Sequence, residues 1–266
     1  MIDRRMIPAL GKEISRLGYG GMRFPKNGDE VDVDAAVQLL RKAYEMGINY
    51  FDTAMVYHKG ESEKIFGKAF EPYPRDSYLI ADKMSIWLCS DEEDMKARFY
   101  NQLKTLKTDY IDFYLVHSLN RNHYKKVKDL HCVEFLQQMK QEGKIKHLGF
   151  SFHDTYQVFT QILNDYTWDF VQIQLNYLDW HNQGAEQLYR ELERRNLPVM
   201  VMAGARRLSG DHRQRACQTI FGAGATALDC QLGNPLGGIA ATGRCCAQRY
   251  ERFAAAGGQR CHNDPL

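Results

Sequence analysis

The chain has 266 residues, of which 44% are hydrophobic and 26% charged, with a formal net charge of +2. That is an ordinary globular composition, and the length suits one β/α barrel or two smaller domains. Near-balanced charge without like-charge runs gives no footprint for nucleic acid, and the apolar runs are of strand length, too short to cross a membrane. The opening MIDRRMIPAL lacks an apolar h-region, so the expectation is a cytoplasmic protein whose seven cysteines are reduced thiols.

In chain order, residues 14–21 read as a first strand running into Gly18-Tyr19-Gly20-Gly21. Glycines after a strand let a ligand approach the backbone, although the spacing is not GxGxxG. Ala36, Val37, Leu40, Ala43 and Tyr44 follow helical spacing, stopped by Gly47. Residues 48–51 are a buried strand ending at Asp52, and residues 61–70 are a helix with Ile65, Phe66 and Ala69 on one face. Tyr57 lies between that strand and that helix. Residues 78–81 form a third strand that delivers Lys83, and Asp91 caps a helix reaching Leu106. Residues 110–116 deliver His117, a helix over 132–142 ends at Gly143, and residues 146–150 deliver Ser151. Residues 170–175 are a strand carrying Gln172 and Gln174, followed by a helix over 185–195 and a seventh strand from Pro198. Alternating strands and helices require crossovers and so a parallel sheet. Seven strands without a fingerprint at the first turn favour a (β/α)8 TIM-type barrel over an open sheet.

In such a barrel Asp52, Tyr57, Lys83 and His117 converge on one mouth. They can deliver a proton to a carbonyl oxygen. A phenol titrates near pH 10, a neighbouring ammonium lowers that value, a carboxylate holds the ammonium, and a histidine orients the carbonyl. Neither a nucleophile nor a metal is required, so the electrons come most simply as hydride from a nicotinamide. Singly, Lys83 reads as a rim lysine and His117 as a core histidine; their recurrence at strand ends makes the constellation. Two other classes stay open. One is a non-catalytic nicotinamide-binding barrel serving as a subunit or sensor. The other is a metal-dependent hydrolase using Asp52 and His117, for which an HxH pair is missing.

The segments RLGYGGMRFP, GINYFDTAMVYHKGESE, YLIADK, DYIDFYLVH, GKIKHLGFSFHD and FVQIQLNY, in this order, resemble the aldo-keto reductases. They are most similar to the bacterial branch whose members often end in a ferredoxin-like segment. The resemblance covers about residues 5–202. It implies a (β/α)8 barrel that reduces an aldehyde or ketone with NADPH, less often NADH. It further implies that Tyr57 is the acid, that Lys83 and Asp52 tune it, and that His117 orients the substrate. Ser151 and Gln172 match positions that hold the nicotinamide carboxamide, and Gly21 and Met22 match a turn lining the cofactor. Phe152 departs from the asparagine that many relatives carry there.

After Met202 the text changes. Residues 203–266 contain no lysine, yet hold Cys217, Cys230, Cys245, Cys246 and Cys261 and ten of the 21 glycines. Without a CxxC, no iron–sulfur cluster is expected. With suitable synonymous codons and a one-base shift, AGARRLSG can be read as PVRGGYL, LDCQLGNPLGG as SIASWAIRWV, and CCAQRYERF as VVLSGMSDL. Those strings resemble the family's eighth strand and terminal helices. The expectation is therefore a barrel domain over 1–202, incomplete after the seventh strand, and a poorly ordered, out-of-frame tail over 203–266. An unclosed barrel predicts poor solubility, weak NADPH binding and an activity open to impairment.

Overall fold

In the computed structural model, residues 2–175, 184–202 and 239–242 are described. The chain opens with an antiparallel hairpin, β1 (Arg4–Ile7) on β2 (Lys12–Ser15), turned by the left-handed Gly11. The single first strand expected over 14–21 is thus two elements. Its first residues close the hairpin, and only β3 (Tyr19–Gly20) enters the main sheet. A second small hairpin, β4 (Lys26–Asn27) with β5 (Glu30–Val31), precedes α1 (Val33–Glu45). The side chain of Asp32 accepts from the Ala35 N–H at 2.9 Å and starts α1, which buries Ala36, Val37, Leu40 and Ala43.

The remainder alternates as anticipated: β6 (Tyr50–Asp52), α2 (Glu61–Phe70), β7 (Leu79–Met84), α3 (Glu92–Leu106), β8 (Ile111–Leu119), α4 (Arg121–Asp129), α5 (Cys132–Gln141), β9 (Ile145–Phe152), α6 (Tyr156–Asp165), β10 (Phe170–Gln174), α7 (Ala185–Arg194) and β11 (Val199–Met202). Helices α4 and α6 are additional to those read from the sequence. Asn120 caps α4 by accepting from the His123 N–H at 2.9 Å, and α6 buries Val158, Phe159, Ile162 and Leu163 at helical spacing.

Strands β3, β6, β7, β8, β9, β10 and β11 lie side by side in chain order, all parallel, as a curled half-barrel. Beyond β11 comes β12 (Ile239–Thr242), an eighth strand that the sequence did not suggest. It pairs with β11 antiparallel, whereas a closing strand of a (β/α)8 barrel runs parallel. The rest of the tail, and with it the expected frame change and disorder, lies outside the described residues.

Two apolar layers hold the structure. The outer one lies between sheet and helices and includes Phe51, Phe66, Phe70, Phe99, Tyr114, Phe150, Phe159 and Trp168. The inner one is the barrel floor. There Leu10 and Ile14 of the hairpin pack on Tyr50, Phe113, Phe170 and Met200, so the hairpin plugs the end opposite the strand carboxyl termini. Among the described residues no helix is long and apolar enough to cross a membrane.

Candidate active site

The site is built from the carboxyl ends of neighbouring strands. Asp52 closes β6, and Lys83 lies near the end of β7, which pairs with β6. Both are almost completely buried, and Lys83 Nζ donates to Asp52 Oδ1 at 2.5 Å and to the Thr53 carbonyl at 2.7 Å. An ammonium has three N–H bonds, so one remains for the phenol of Tyr57, whose ring centroid is 4.9 Å from Nζ. Tyr57 is held by its backbone N–H, which donates to the Ala54 carbonyl at 2.9 Å. The next two residues, His58 and Lys59, turn the chain through left-handed backbone before α2 begins. The ring of His117 stands edge-on to that of Tyr57 with centroids 6.0 Å apart. The four side chains expected to meet at one mouth do meet.

Their electrostatics differ from the expectation in one respect. Burial pushes the Tyr57 phenol above its ordinary value, and the Lys83 charge offsets only part of that rise. The neighbouring ammonium does not produce the net lowering anticipated, because desolving the phenolate costs more than the ammonium returns. Tyr57 is therefore a protonated acid at neutral pH. Burial also pushes Asp52 up, opposed by Lys83 and by the donor from Gln172. For Lys83 burial works against the charge, but Asp52 and Tyr57 outweigh it and the ammonium is favoured. Burial, reinforced by the Lys83 charge, pushes His117 well below the usual imidazole range, so its ring is neutral.

His117 is aimed by a β-bulge. The register of β8 against β9 shifts between Val116 and Leu119, and Ser118 within it adopts a left-handed φ of 51°. Such backbone is unfavourable for a serine and persists where neighbours hold it. Here the Ser118 N–H donates to Ser151 Oγ at 2.7 Å, and the Ser118 carbonyl is 2.8 Å from His123 Nδ1.

Ser151 and Gln172 lie directly opposite each other on β9 and β10 and are both buried. Gln172 Nε2 donates to Asp52 Oδ2 at 3.2 Å, which leaves Oε1 buried without a partner among the described residues. Ser151 Oγ accepts from Ser118, so its own proton is available. A carboxamide has an N–H to give and a carbonyl to accept with, the complement of an orphaned Gln oxygen and a Ser hydroxyl proton. The residues present thus fit a nicotinamide carboxamide. Phe152 is a core residue packed on Phe159 at 4.9 Å between centroids, so its side chain offers no polar contact.

Gly21 and Met22 follow β3. The Gly21 N–H donates to the Asp52 carbonyl at 2.7 Å, and a Cβ at Gly21 would fall 2.6 Å from both the Phe66 ring and Ser62 Oγ. The glycine is thus required for packing on α2, a reason separate from the ligand approach that its sequence context suggested. The side chain of Met22 faces solvent at 54% exposure.

Beneath Lys83 lies a polar network that sequence reasoning missed. Gln102 Nε2 donates to Glu63 Oε1 and to Asp82 Oδ2, each at 2.9 Å, and Tyr114 donates to Gln102 Oε1. Asp82 Oδ1 also accepts from the Lys83 N–H at 2.8 Å. Burial, then the neighbouring Glu63, pushes Asp82 well above the carboxylate range, and burial raises Glu63 as well. Both are buried at about the level of the apolar residues around them, so burial and mutual repulsion favour the protonated form of the pair against the opposing Lys83 charge and Gln102 donor. The available signal was a polar residue inside an apolar stripe: Gln102 among Met95, Phe99, Leu103 and Leu106 on α3, and Glu63 beside Ile65 and Phe66 on α2.

Residues 16–230 match the model of the Aldo/keto reductase family. The chain belongs to that family. It is 29% identical over 153 residues to L-galactose dehydrogenase of Arabidopsis thaliana, covering 56% of this chain and 48% of that protein. It is 32% identical over 154 residues to the aldo-keto reductase YhdN of Bacillus subtilis, covering 54% and 45%. The chain thus spans about half the length of the curated relatives it matches. Among solved structures, an aldo-keto reductase from Bacillus halodurans in its holo form superposes with a TM-score of 0.67 at 20% identity, covering 100% of this chain and 93% of that one. An aldo/keto reductase from Klebsiella pneumoniae in complex with NADP and acetate gives 0.59 at 24% identity, covering 71% and 64%. The half-barrel described above is thus the larger part of the family's (β/α)8 fold.

Proposed function

We propose that this aldo/keto reductase reduces the carbonyl group of a small aldehyde or ketone with a nicotinamide cofactor, NADPH in first place and NADH in second. The observation that carries the reading is the convergence of a protonated Tyr57 with the buried Lys83–Asp52 pair and a neutral His117. Family membership and the NADP held by the Klebsiella structure support the choice of cofactor.

Ser151 and Gln172 would hold the carboxamide, and the bound nicotinamide would supply the hydride. Tyr57 gives its proton to the carbonyl oxygen as negative charge develops there. Lys83, fixed by Asp52, stabilises the phenolate left behind, which is the state its charge favours. His117, being neutral, presents one N–H to the same oxygen and orients the carbonyl. The Asp52–Gln172 bond links the proton-handling half of the site to the cofactor-holding half.

Tyr57→Phe tests the reading. It should abolish NADPH oxidation with a simple aromatic aldehyde while leaving NADPH binding, followed by cofactor fluorescence, unchanged. Retained turnover would overturn the role of Tyr57. A wild-type chain that binds NADPH but turns over no aldehyde or ketone would favour the nicotinamide-binding subunit or sensor instead, a reading the Gln172 and Ser151 pair supports equally.

A further inference from the structure

Ser85 stands beside the four-residue constellation, buried at the end of β7. It follows Lys83 by two residues, and in extended backbone that spacing sends both side chains to one face. The Ser85 carbonyl accepts from the Leu88 N–H at 3.0 Å, fixing the residue at the start of a single 3₁₀ turn. Its side chain is completely buried, and among the described residues the hydroxyl has one partner, His117 Nδ1, at 2.8 Å.

Two arrangements of protons are open to such a pair. If Nδ1 carried the imidazole proton, it would donate to Ser85 Oγ, and the buried hydroxyl proton would be left with no acceptor among the described residues. If Nδ1 is bare, the hydroxyl donates to it and nothing is orphaned. A buried unpaired donor is far more costly than the difference between neutral imidazole tautomers. The neutral ring already argued for His117 makes the choice of tautomer a real one.

We infer that Ser85 is a positioning residue that fixes His117 as the Nε2–H tautomer, so that the imidazole presents a donor to the substrate carbonyl. On one side Ser85 occupies the ring nitrogen, and on another Trp87 lies against the ring with centroids 5.1 Å apart. Together with the bulge at Ser118 they leave the ring one orientation and one protonation pattern. The catalytic meaning rests on the proposed carbonyl reduction. The tautomer assignment does not, because it follows from the buried hydroxyl alone.

The test is a long-range 1H–15N correlation spectrum of the uniformly 15N-labelled full chain at pH 7, with His117 assigned by His117→Gln. Wild type should show a bare Nδ1 and a protonated Nε2. Ser85→Ala should give a mixture of tautomers and a kcat about tenfold lower, with KM and NADPH affinity within twofold of wild type. Ser85→Thr, which keeps the hydroxyl, should restore the single tautomer. A wild-type spectrum with protonated Nδ1 would overturn the inference, and needs no variant to fold. So would Ser85→Ala retaining both the pure Nε2–H tautomer and the wild-type kcat. If the tautomer behaves as stated but Tyr57→Phe still turns over, the proposed reaction fails while the assignment of Ser85 stands.

Discussion

Replacing Lys83 by methionine gives a sharp test of the energetics of the site. The side chains of Lys83 and Asp52 are 1% and 2% exposed, so the substitution leaves a carboxyl group buried without its counter-ion. Breaking a buried pair from one side costs about 3–5 kcal/mol. The penalty should depend on pH in a definite direction. Burial already pushes Asp52 up, and Lys83 is the first of the groups opposing it. Without Lys83 the folded-state value rises further above the unfolded value of about 3.9. Between those two values the folded state binds more protons than the unfolded state, so stability of the variant falls as pH rises. Urea denaturation of wild type and Lys83→Met should therefore show the gap widest near pH 7.5 and shrinking toward pH 4.5. Adding Asp52→Leu should recover most of the loss without restoring turnover. A Lys83→Met protein as stable as wild type at pH 7.5, or a gap that widens on acidification, would refute the picture of a buried pair held together by its own charges.

Other expectations follow from the same structure. Burial lowers His117, His58, His147 and His153, so below about pH 6.5 the unfolded chain takes up protons that the folded chain refuses. Stability should fall as pH drops through that range, and His117→Gln should flatten the slope in urea titrations. A Cβ at Gly149 would lie 2.5 Å from the Phe170 carbonyl oxygen and 2.7 Å from its ring, so Gly149→Ala should cost about 1–3 kcal/mol by denaturant melt, whereas a neutral result would mean that β9 and β10 are not in this register. Gln172→Met removes the orphaned acceptor and should weaken NADPH binding about fivefold, the worth of one neutral hydrogen bond at about 1 kcal/mol, with unchanged affinity counting against the carboxamide contact. Sequencing the encoding DNA across codons 195–266 tests the frame. One added or missing base that restores EPVRGG and LSGMSD would predict that the corrected chain binds NADPH more tightly than this one.

Much of the site was legible because its residues stand at strand ends in the order a barrel displays them. Asp52, Lys83 and His117 each follow a strand-length run, a pattern that needs no tertiary information, whereas Ser151 and Gln172, the latter in the middle of β10, stood out as site residues only through the family resemblance. Helix α6 and the buried Gln102 carry local signals, but most of the other features show only through partners distant in sequence. The stretch 14–21 looks like one strand until its first residues are seen to close a hairpin whose Leu10 and Ile14 plug the barrel floor. Helix α4 has few apolar residues, and only Tyr124 and Val127 are buried on it, so its pattern is faint. Ser85 reveals itself only through the imidazole of a strand 32 residues later. The net rise at Tyr57 is not legible in the sequence, because an ammonium nearby can be inferred from it, whereas the depth of burial that outweighs it cannot.

Strand order along the chain is also strand order across the sheet, and this bears on how the protein folds. The Lys83–Asp52 pair joins residues 31 apart, and the Ser85–His117 contact joins residues 32 apart. Each such contact needs only two neighbouring strands, and short sequence separations of this kind favour fast folding. The Gln172–Asp52 bond, by contrast, spans 120 residues and closes across the mouth. Lys83, Asp52, Ser85 and His117 are thus joined by contacts of short sequence separation between adjacent strands. Gln172 reaches Asp52 only once β10 is in place, whereas Ser151 is already tied to β8 through Ser118.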